Sequence, residues 1–364
     1  MEGERFDRLR LIRSARIGPV TYMQLLRRFG SARAAIEALP DLAARGGGKP
    51  PALAKREDIE QEIASVAVLG ARYLLLGDPD YPALLAEIEN PPPALTMRGD
   101  TALLARRCIG MVGARNASAA ACRFARMLGQ GLAAEGVSVV SGLARGIDTA
   151  AHQGSLEGGT VAVIAGGIDV IFPPENAVLQ EEIAARGLLI AEMPPGTRPL
   201  ARHFPWRNRI IAGLSLGTVV VEAAPRSGSL ITARLAGEAG REVMAVPGSP
   251  LDPRAQGCNQ LIREGATLVQ GVADILEAVG PIDARMVRQD ARGYDGHPAG
   301  TDVAERERRA IVALLGPVPV PVDEIIRQSG LPPAAVQTVL LELELAGRLD
   351  RHAGGRVSIS MLSD

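Results

Sequence analysis

The residues best equipped for chemistry lie in one short stretch, Ser141-Gly142-Leu143-Ala144-Arg145-Gly146-Ile147-Asp148. Gly142 and Gly146 allow backbone N–H groups to come close to a ligand. The start of the helix expected over 149–156 adds a partial positive charge, and Arg145 adds a full one. Asp148 is placed to cap that helix. Together these features make an anion site of the kind that holds phosphate. Similar turns recur along the chain: Gly113-Ala114-Arg115, Gly166-Gly167, and Glu222 through Arg226-Ser227-Gly228-Ser229. Several such turns on one edge fit a polyanion as readily as a single nucleotide.

A second cluster is Phe204-Pro205-Trp206-Arg207-Asn208-Arg209. It mixes cations for a phosphate backbone with rings for bases, the combination that single-stranded nucleic acid favours. Trp206, the chain's one tryptophan, either stacks on a base or packs against the sheet edge. In an extended stretch Phe204 and Trp206 face opposite ways, so one is expected buried and the other exposed. Arg115 is the leading phosphate contact, with a salt bridge to a neighbouring loop as the alternative, and Arg145 has the same two readings. Ser227 and Ser229 are expected to cap the next helix, and with Gly228 to serve phosphate. Asp148 and Glu222 are read as orienting acids, although Glu222 at a strand end is also placed like the catalytic acid of a nucleotide hydrolase. His152 and His203 invite a catalytic reading, but His152 lacks a placed nucleophile and is read as structural, and no catalytic residue is assigned.

These turns need a scaffold that brings strand ends to one side. Apolar runs near 108, 138, 162, 189, 219, 243 and 267, separated by helical stretches, predict an α/β protein with a doubly wound parallel sheet. Shorter strands at 73–76 and 94–97 are expected at its border. In such sheets the turns after the strands gather at the carboxyl edge, where ligands bind. The Gly-x-Gly-x-x-Gly fingerprint is absent, and no Walker pattern ends in Gly-Lys-Ser/Thr, so no nucleotide cofactor is expected.

Four segments follow: a helical domain at 1–66, the sheet domain at 67–280, a linker at 281–302 and a winged helix at 303–364. In the first, Ile17-Gly18-Pro19-Val20 looks like a helix-hairpin-helix turn without its second glycine, which favours structural or protein contact over DNA binding. In the last, the would-be recognition helix, 332–346, carries Glu342 and Glu344 and no cation, so it suits a major groove poorly. Arg348, Arg351 and Arg356 leave the wing available.

The chain has 364 residues, 47% of them hydrophobic, enough for two or three cored domains. Cys108, Cys122 and Cys258 lack metal-ligand spacing, which argues against a zinc site or a disulfide framework. No apolar run reaches membrane-spanning length, and a cytoplasmic location is expected. The net charge of −1 hides an uneven distribution: residues 101–134 carry five arginines and no acid. Lysine is restricted to Lys49 and Lys55, so every cation near the proposed site is a guanidinium.

The blocks Ser141 to His152, Phe204 to Ser215, Val221-Glu222-Ala223, Ser227 to Ala233, Val246-Pro247-Gly248 and Gly257 to Ile262 resemble, in order, the signature blocks of the DNA-processing protein A family (DprA, also called Smf). The likeness is dense over 108–269 and weaker in the N-terminal helices and the winged helix. The resemblance implies an extended Rossmann-like domain, a sterile-alpha-motif-like N-terminal domain and a non-enzymatic, dimeric, single-stranded DNA-binding protein. Such a protein shields incoming DNA and helps load the RecA recombinase during natural transformation. On the residues quoted, DNA contacts fall to Gly113, Arg115, Ser141, Gly142, Arg145, Gly146, Phe204, Trp206, Arg207, Asn208, Arg209, Ser227, Gly228 and Ser229. A rival reading is a lysine-decarboxylase-like phosphoribohydrolase acting on nucleoside monophosphates, because Gly217-Thr218-Val219-Val220-Val221-Glu222 resembles the end of that family's motif.

Overall fold

A computed structural model describes residues 3–286, 303–352 and 354–360. The chain divides into two compact units, Met1–Gln61 with Gly293–Asp364, and Glu62–Arg292. The first opens with α1 (Glu4–Ile12), α2 (Pro19–Phe29) and α3 (Ala32–Arg45), and α4 (Arg56–Val68) follows. Tyr22, Leu25, Leu39 and Leu42 form the shared core of the first three helices. Gly18 precedes Pro19 at the start of α2, where the missing proline N–H costs no helical hydrogen bond.

The second unit holds a nine-stranded sheet. Its border is the antiparallel pair β1 (Arg72–Leu75) and, after the short α5 (Ala83–Ala86), β2 (Ala94–Gly99). Then come β3 (Cys108–Val112), α6 (Ala119–Ala134), β4 (Ser138–Ser141), α7 (Ile147–Ser155), β5 (Thr160–Gly167), α8 (Ala177–Arg186) and β6 (Leu188–Met193). The chain continues with α9 (His203–Leu214), β7 (Gly217–Val220), α10 (Gly228–Glu238), β8 (Glu242–Ala245), α11 (Gln256–Arg263), β9 (Thr267–Leu268) and α12 (Val272–Met286). The helix α12 runs into the stretch read as linker, whose remainder, 287–302, lies outside the described residues.

Strand order is β1-β2-β6-β5-β4-β3-β7-β8-β9. From β3 the sheet is built outward one way through β4, β5 and β6, and the other way through β7, β8 and β9, all in parallel register. The expected doubly wound sheet is therefore present, with its switch point between β3 and β7. Both faces are covered. Ile109, Met111, Val139 and Val219 meet α6, α7 and α12 residues such as Leu128, Ala151 and Ile275. Cys108, Val140, Val163 and Val220 meet Ile210 and Ile211 of α9 and Ala233 of α10. Each fully buried aliphatic chain contributes about 1.5–3 kcal/mol, so the strands read as continuous apolar runs because neither face is wet.

The closing segment of the first unit is a winged helix. Its elements are α13 (Glu305–Ala313), β10 (Val320–Pro321), α14 (Val322–Ser329), α15 (Pro333–Leu345) and the hairpin β11 (Leu349–His352) with β12 (Arg356–Ile359). Pairing of β10 with β12 adds a third strand that the sequence reading did not include.

Candidate nucleic-acid interface

Every parallel strand from β3 to β8 ends at the same edge, and the turns that follow carry the candidate residues. The turn after β4 is built by its own carboxylate. Asp148, in the first turn of α7, accepts hydrogen bonds from the N–H of Gly142 at 3.1 Å and of Ala144 at 3.4 Å. The cap position itself belongs to Gly146, at φ 78°, a conformation that favours glycine, with Ala114 and Arg115 backbone packed against it. Leu143 sits at φ 53°, a conformation that costs a non-glycine residue about 1–2 kcal/mol. Asn176 holds it there, donating from Nδ2 to the Leu143 carbonyl at 2.9 Å.

Behind this turn lie two buried charged side chains that meet through Gly142. Arg207 is 6% exposed and Asp148 5%. The Arg207 guanidinium donates to the carbonyls of Gly142 and Val163. Burial pulls Arg207 down to about 10, and the Asp148 charge resists that shift. Burial pushes the Asp148 carboxyl up, opposed by Arg207 and by the two backbone N–H groups. Both residues therefore brace the turn from inside, Asp148 on the Gly142 N–H and Arg207 on the Gly142 carbonyl. His152 lies in the same interior, fully buried, with Nδ1 2.7 Å from Thr160 Oγ1. Burial lowers it to about 3, so it stays neutral.

What remains open is a pocket of about 240 Å³ bordered by Arg115, Arg145, Phe172, Pro173 and Phe204. Arg115, exposed in the turn after β3, places its guanidinium carbon 4.9 Å from the centre of the Phe204 ring. Phe172 packs on Phe204 with ring centres 5.8 Å apart. Among the described residues no carboxylate forms a salt bridge with Arg115. Arg145 is exposed and faces Glu175 at 3.8 Å, a pair too open to water to be held firmly. Arg198 and Arg202, also exposed, lie in the turn after β6, and Arg226, at φ 66°, lies in the turn after β7 beside Ser227. An edge of exposed guanidinium groups around an aromatic-lined pocket suits phosphates outside and rings inside.

Several sequence expectations are revised. The stretch from His203 is the helix α9, not an extended turn. Phe204 and Trp206 therefore differ by about 200° around its axis: Phe204 is half-buried at the pocket, and Trp206 is 53% exposed elsewhere on the helix. Arg207 is an interior residue. Arg209 is tied to Glu192 at 2.6 Å, with both side chains mostly covered. Asn208 accepts from Arg207 Nε and donates to the Gly228 carbonyl. The Ser141 hydroxyl is fully buried and donates to the Met111 carbonyl at 2.6 Å. Gly113 is packed against Ile147 and the Glu222 backbone. The Gly142 N–H is spent on Asp148. Of the expected contacts, Arg115, Arg145, Gly146, Phe204, Trp206 and the start of α10 remain accessible. There Ser227 is the cap, accepting from Ser229 N–H at 3.4 Å; Gly228 is exposed and Ser229 is buried.

Glu222 has a defined post. Its carboxylate accepts from the N–H and the hydroxyl of Ser118, which caps α6 through Ala121 N–H. Phe172, Asn176, Arg198 and Arg202 were not among the sequence candidates, and Arg226 entered only as part of the turn that leads to Ser227. The one usable signal for Phe172 was its rarity. The chain has only five phenylalanines, and one of them stands before a double proline at a strand-following turn.

Residues 53–280 match the family described as DNA recombination-mediator protein A, residues 2–65 the DprA-like N-terminal HHH domain, and residues 296–355 the DprA winged helix domain. The chain is 36% identical to Protein Smf of Synechocystis sp. over 315 residues, 78% of this chain and 79% of that one. It is 42% identical to the DNA processing protein DprA of Bacillus subtilis over 236 residues, 62% of this chain and 80% of that one. Among solved structures, DNA processing protein A from Streptococcus pneumoniae superposes with a TM-score of 0.58 at 42% identity, covering 62% of this chain and 78% of that one. The Helicobacter pylori protein, described for its single-stranded DNA binding mode, gives 0.52 at 27% identity, covering 59% of this chain and 97% of that one.

Proposed function

We propose, for a chain that belongs to the DNA recombination-mediator protein A family, that the carboxyl edge of its sheet binds single-stranded DNA. The supporting observation is Arg115, exposed with its guanidinium 4.9 Å from the centre of the Phe204 ring, where both border a pocket of about 240 Å³. In this reading Arg115, Arg145, Arg198, Arg202 and Arg226 follow the phosphates, while Phe204 and Phe172 receive a base. A flexible single strand can turn a base into such a pocket, whereas a duplex keeps its bases stacked inside. The protein acts as a mediator and not as a catalyst: it covers incoming DNA in the cytoplasm, works as a dimer and helps place the RecA recombinase on the strand. The family resemblance is the support for those last roles.

Competition between a labelled single strand and unlabelled duplex of equal length tests the reading. The single strand should win with little dependence on sequence. Four to five phosphate contacts at about 0.7 each give a slope near −3 for log affinity against log salt. Equal or better competition by the duplex would overturn the proposal.

A further inference from the structure

We propose that the third helix of the winged helix, α15, is a docking helix whose partner is the N-terminal helical layer of the same chain, and that its acidic residues exist to lock that contact. In winged helices this helix ordinarily keeps one face free for the major groove. Here both faces are covered. Ala335, Val336, Val339, Leu340 and Leu343 fill the winged helix's own core. Leu341 and Leu345 instead join the core of the N-terminal helices, with Leu11, Tyr22 and Leu25.

Polar contacts fix the register. Glu342, 1% exposed, is ion-paired with Arg308, and Arg308 also donates to the Arg45 carbonyl at 3.1 Å. Arg348 donates to the Gly46 carbonyl at 3.1 Å. Carbonyls at the C-terminal end of α3, left without helical partners, thus receive two guanidinium groups where the helix dipole favours positive charge. Glu344 accepts from Arg351 at 2.8 Å, and Gln24 donates to Gln337 at 2.9 Å. Both acids that make α15 unsuited to DNA are therefore in use. Gly46 completes the fit, since a Cβ there would strike the Glu342 carbonyl. Its φ of −73° is ordinary for any residue, so a side chain at 46 disturbs the contact without straining α3.

The inference does not depend on the strand-binding reading. Cysteines replacing Gln24 and Gln337, in a Cys122→Ser background, can be joined by a short bis-maleimide in the otherwise full chain. A protease site placed between 287 and 302 then shows whether the two pieces stay tied on a denaturing gel. At dilute protein the tie should form within one chain, and Gly46→Val should lower the tied-to-open ratio about tenfold, the equivalent of ~1.4 kcal/mol of overpacking. Absence of the tie, or a tie only between two chains that grows with concentration, would overturn the proposal. Binding of a short duplex by the Gly46→Val chain gives the second readout. Unchanged weak binding fits a dedicated docking helix, whereas a rise of about tenfold would mean a masked DNA reader and refute it.

Discussion

The carboxylate of Glu222 spans Ser118, taking the backbone N–H at 3.0 Å and the hydroxyl at 2.7 Å. The pair joins the turns after β3 and β7, the switch point where doubly wound sheets hold a nucleotide phosphate at a helix start. Here an internal carboxylate meets the positive end of α6 from within the protein. Charge repulsion and loss of the N–H donor both work against a phosphate there, which in the proposed reading leaves Arg115 and Arg145, further along the edge, to meet the strand.

Glu222→Ala leaves the Ser118 donors without their acceptor and should cost about 1–3 kcal/mol in denaturant unfolding, with Glu222→Gln costing less. The wild-type chain should release no ribose 5-phosphate from nucleoside monophosphates. Release that Glu222→Gln abolishes would instead restore the hydrolase reading.

Arg207→Ala leaves the buried carbonyls of Gly142 and Val163 without their donor, so its effect should be on stability, with a loss of about 1–3 kcal/mol. Thermal and urea unfolding followed by circular dichroism would measure it. A variant as stable as wild type but unable to bind DNA would show that Arg207 touches the strand after all.

The neutral, buried His152 carries a pH signature. Its value falls from 6.5 to about 3 in the folded state, so the unfolded chain binds the extra proton between those limits. Stability attributable to this residue is complete above about pH 6.5 and is lost as pH falls towards 3, with a slope approaching ~1.4 kcal/mol per pH unit. Asp148, shifted the opposite way, contributes equally to wild type and variant and drops out of the comparison. Urea titrations of wild type and His152→Gln across that window should diverge by this slope, and parallel curves would contradict it.

The sheet was legible because its strands are buried on both faces: runs such as Cys108-Ile109-Gly110-Met111-Val112 admit few other readings, and each ends in a glycine-bearing turn. The carboxyl edge was legible for the same reason. Which arginines face out was not. Arg207 and Arg209 lie in the same run as the exposed Arg202, and only the packing of α9 against β5 and β3 sends the first to the Gly142 and Val163 carbonyls and the second to Glu192. Reading 204–209 as extended hid the helix, because Phe, Pro and Trp at its start give no helical signal of their own. Asp148 looked like a cap because of its position, whereas its carboxylate turns back to the loop and consumes the N–H groups that a phosphate would need. The acids of α15 were noticed, but the partner of Glu342, Arg308, is dozens of residues away in sequence, and α3 is hundreds away.

The central claim is that an exposed guanidinium over an aromatic ring, and not a diffuse basic face, holds the strand. A fluorescence-anisotropy titration of a single-stranded oligonucleotide over a range of salt tests it with wild type, Arg115→Ala and Arg123→Ala. Arg123 lies on α6 in the same basic run, away from any turn. Arg115→Ala should weaken binding by about 1–3 kcal/mol, the size of a lost charge-assisted contact, and reduce the salt slope by about 0.7, while Arg123→Ala stays near wild type. Equal losses in the two variants would contradict the account and put a diffuse basic surface in place of the Arg115–Phe204 site.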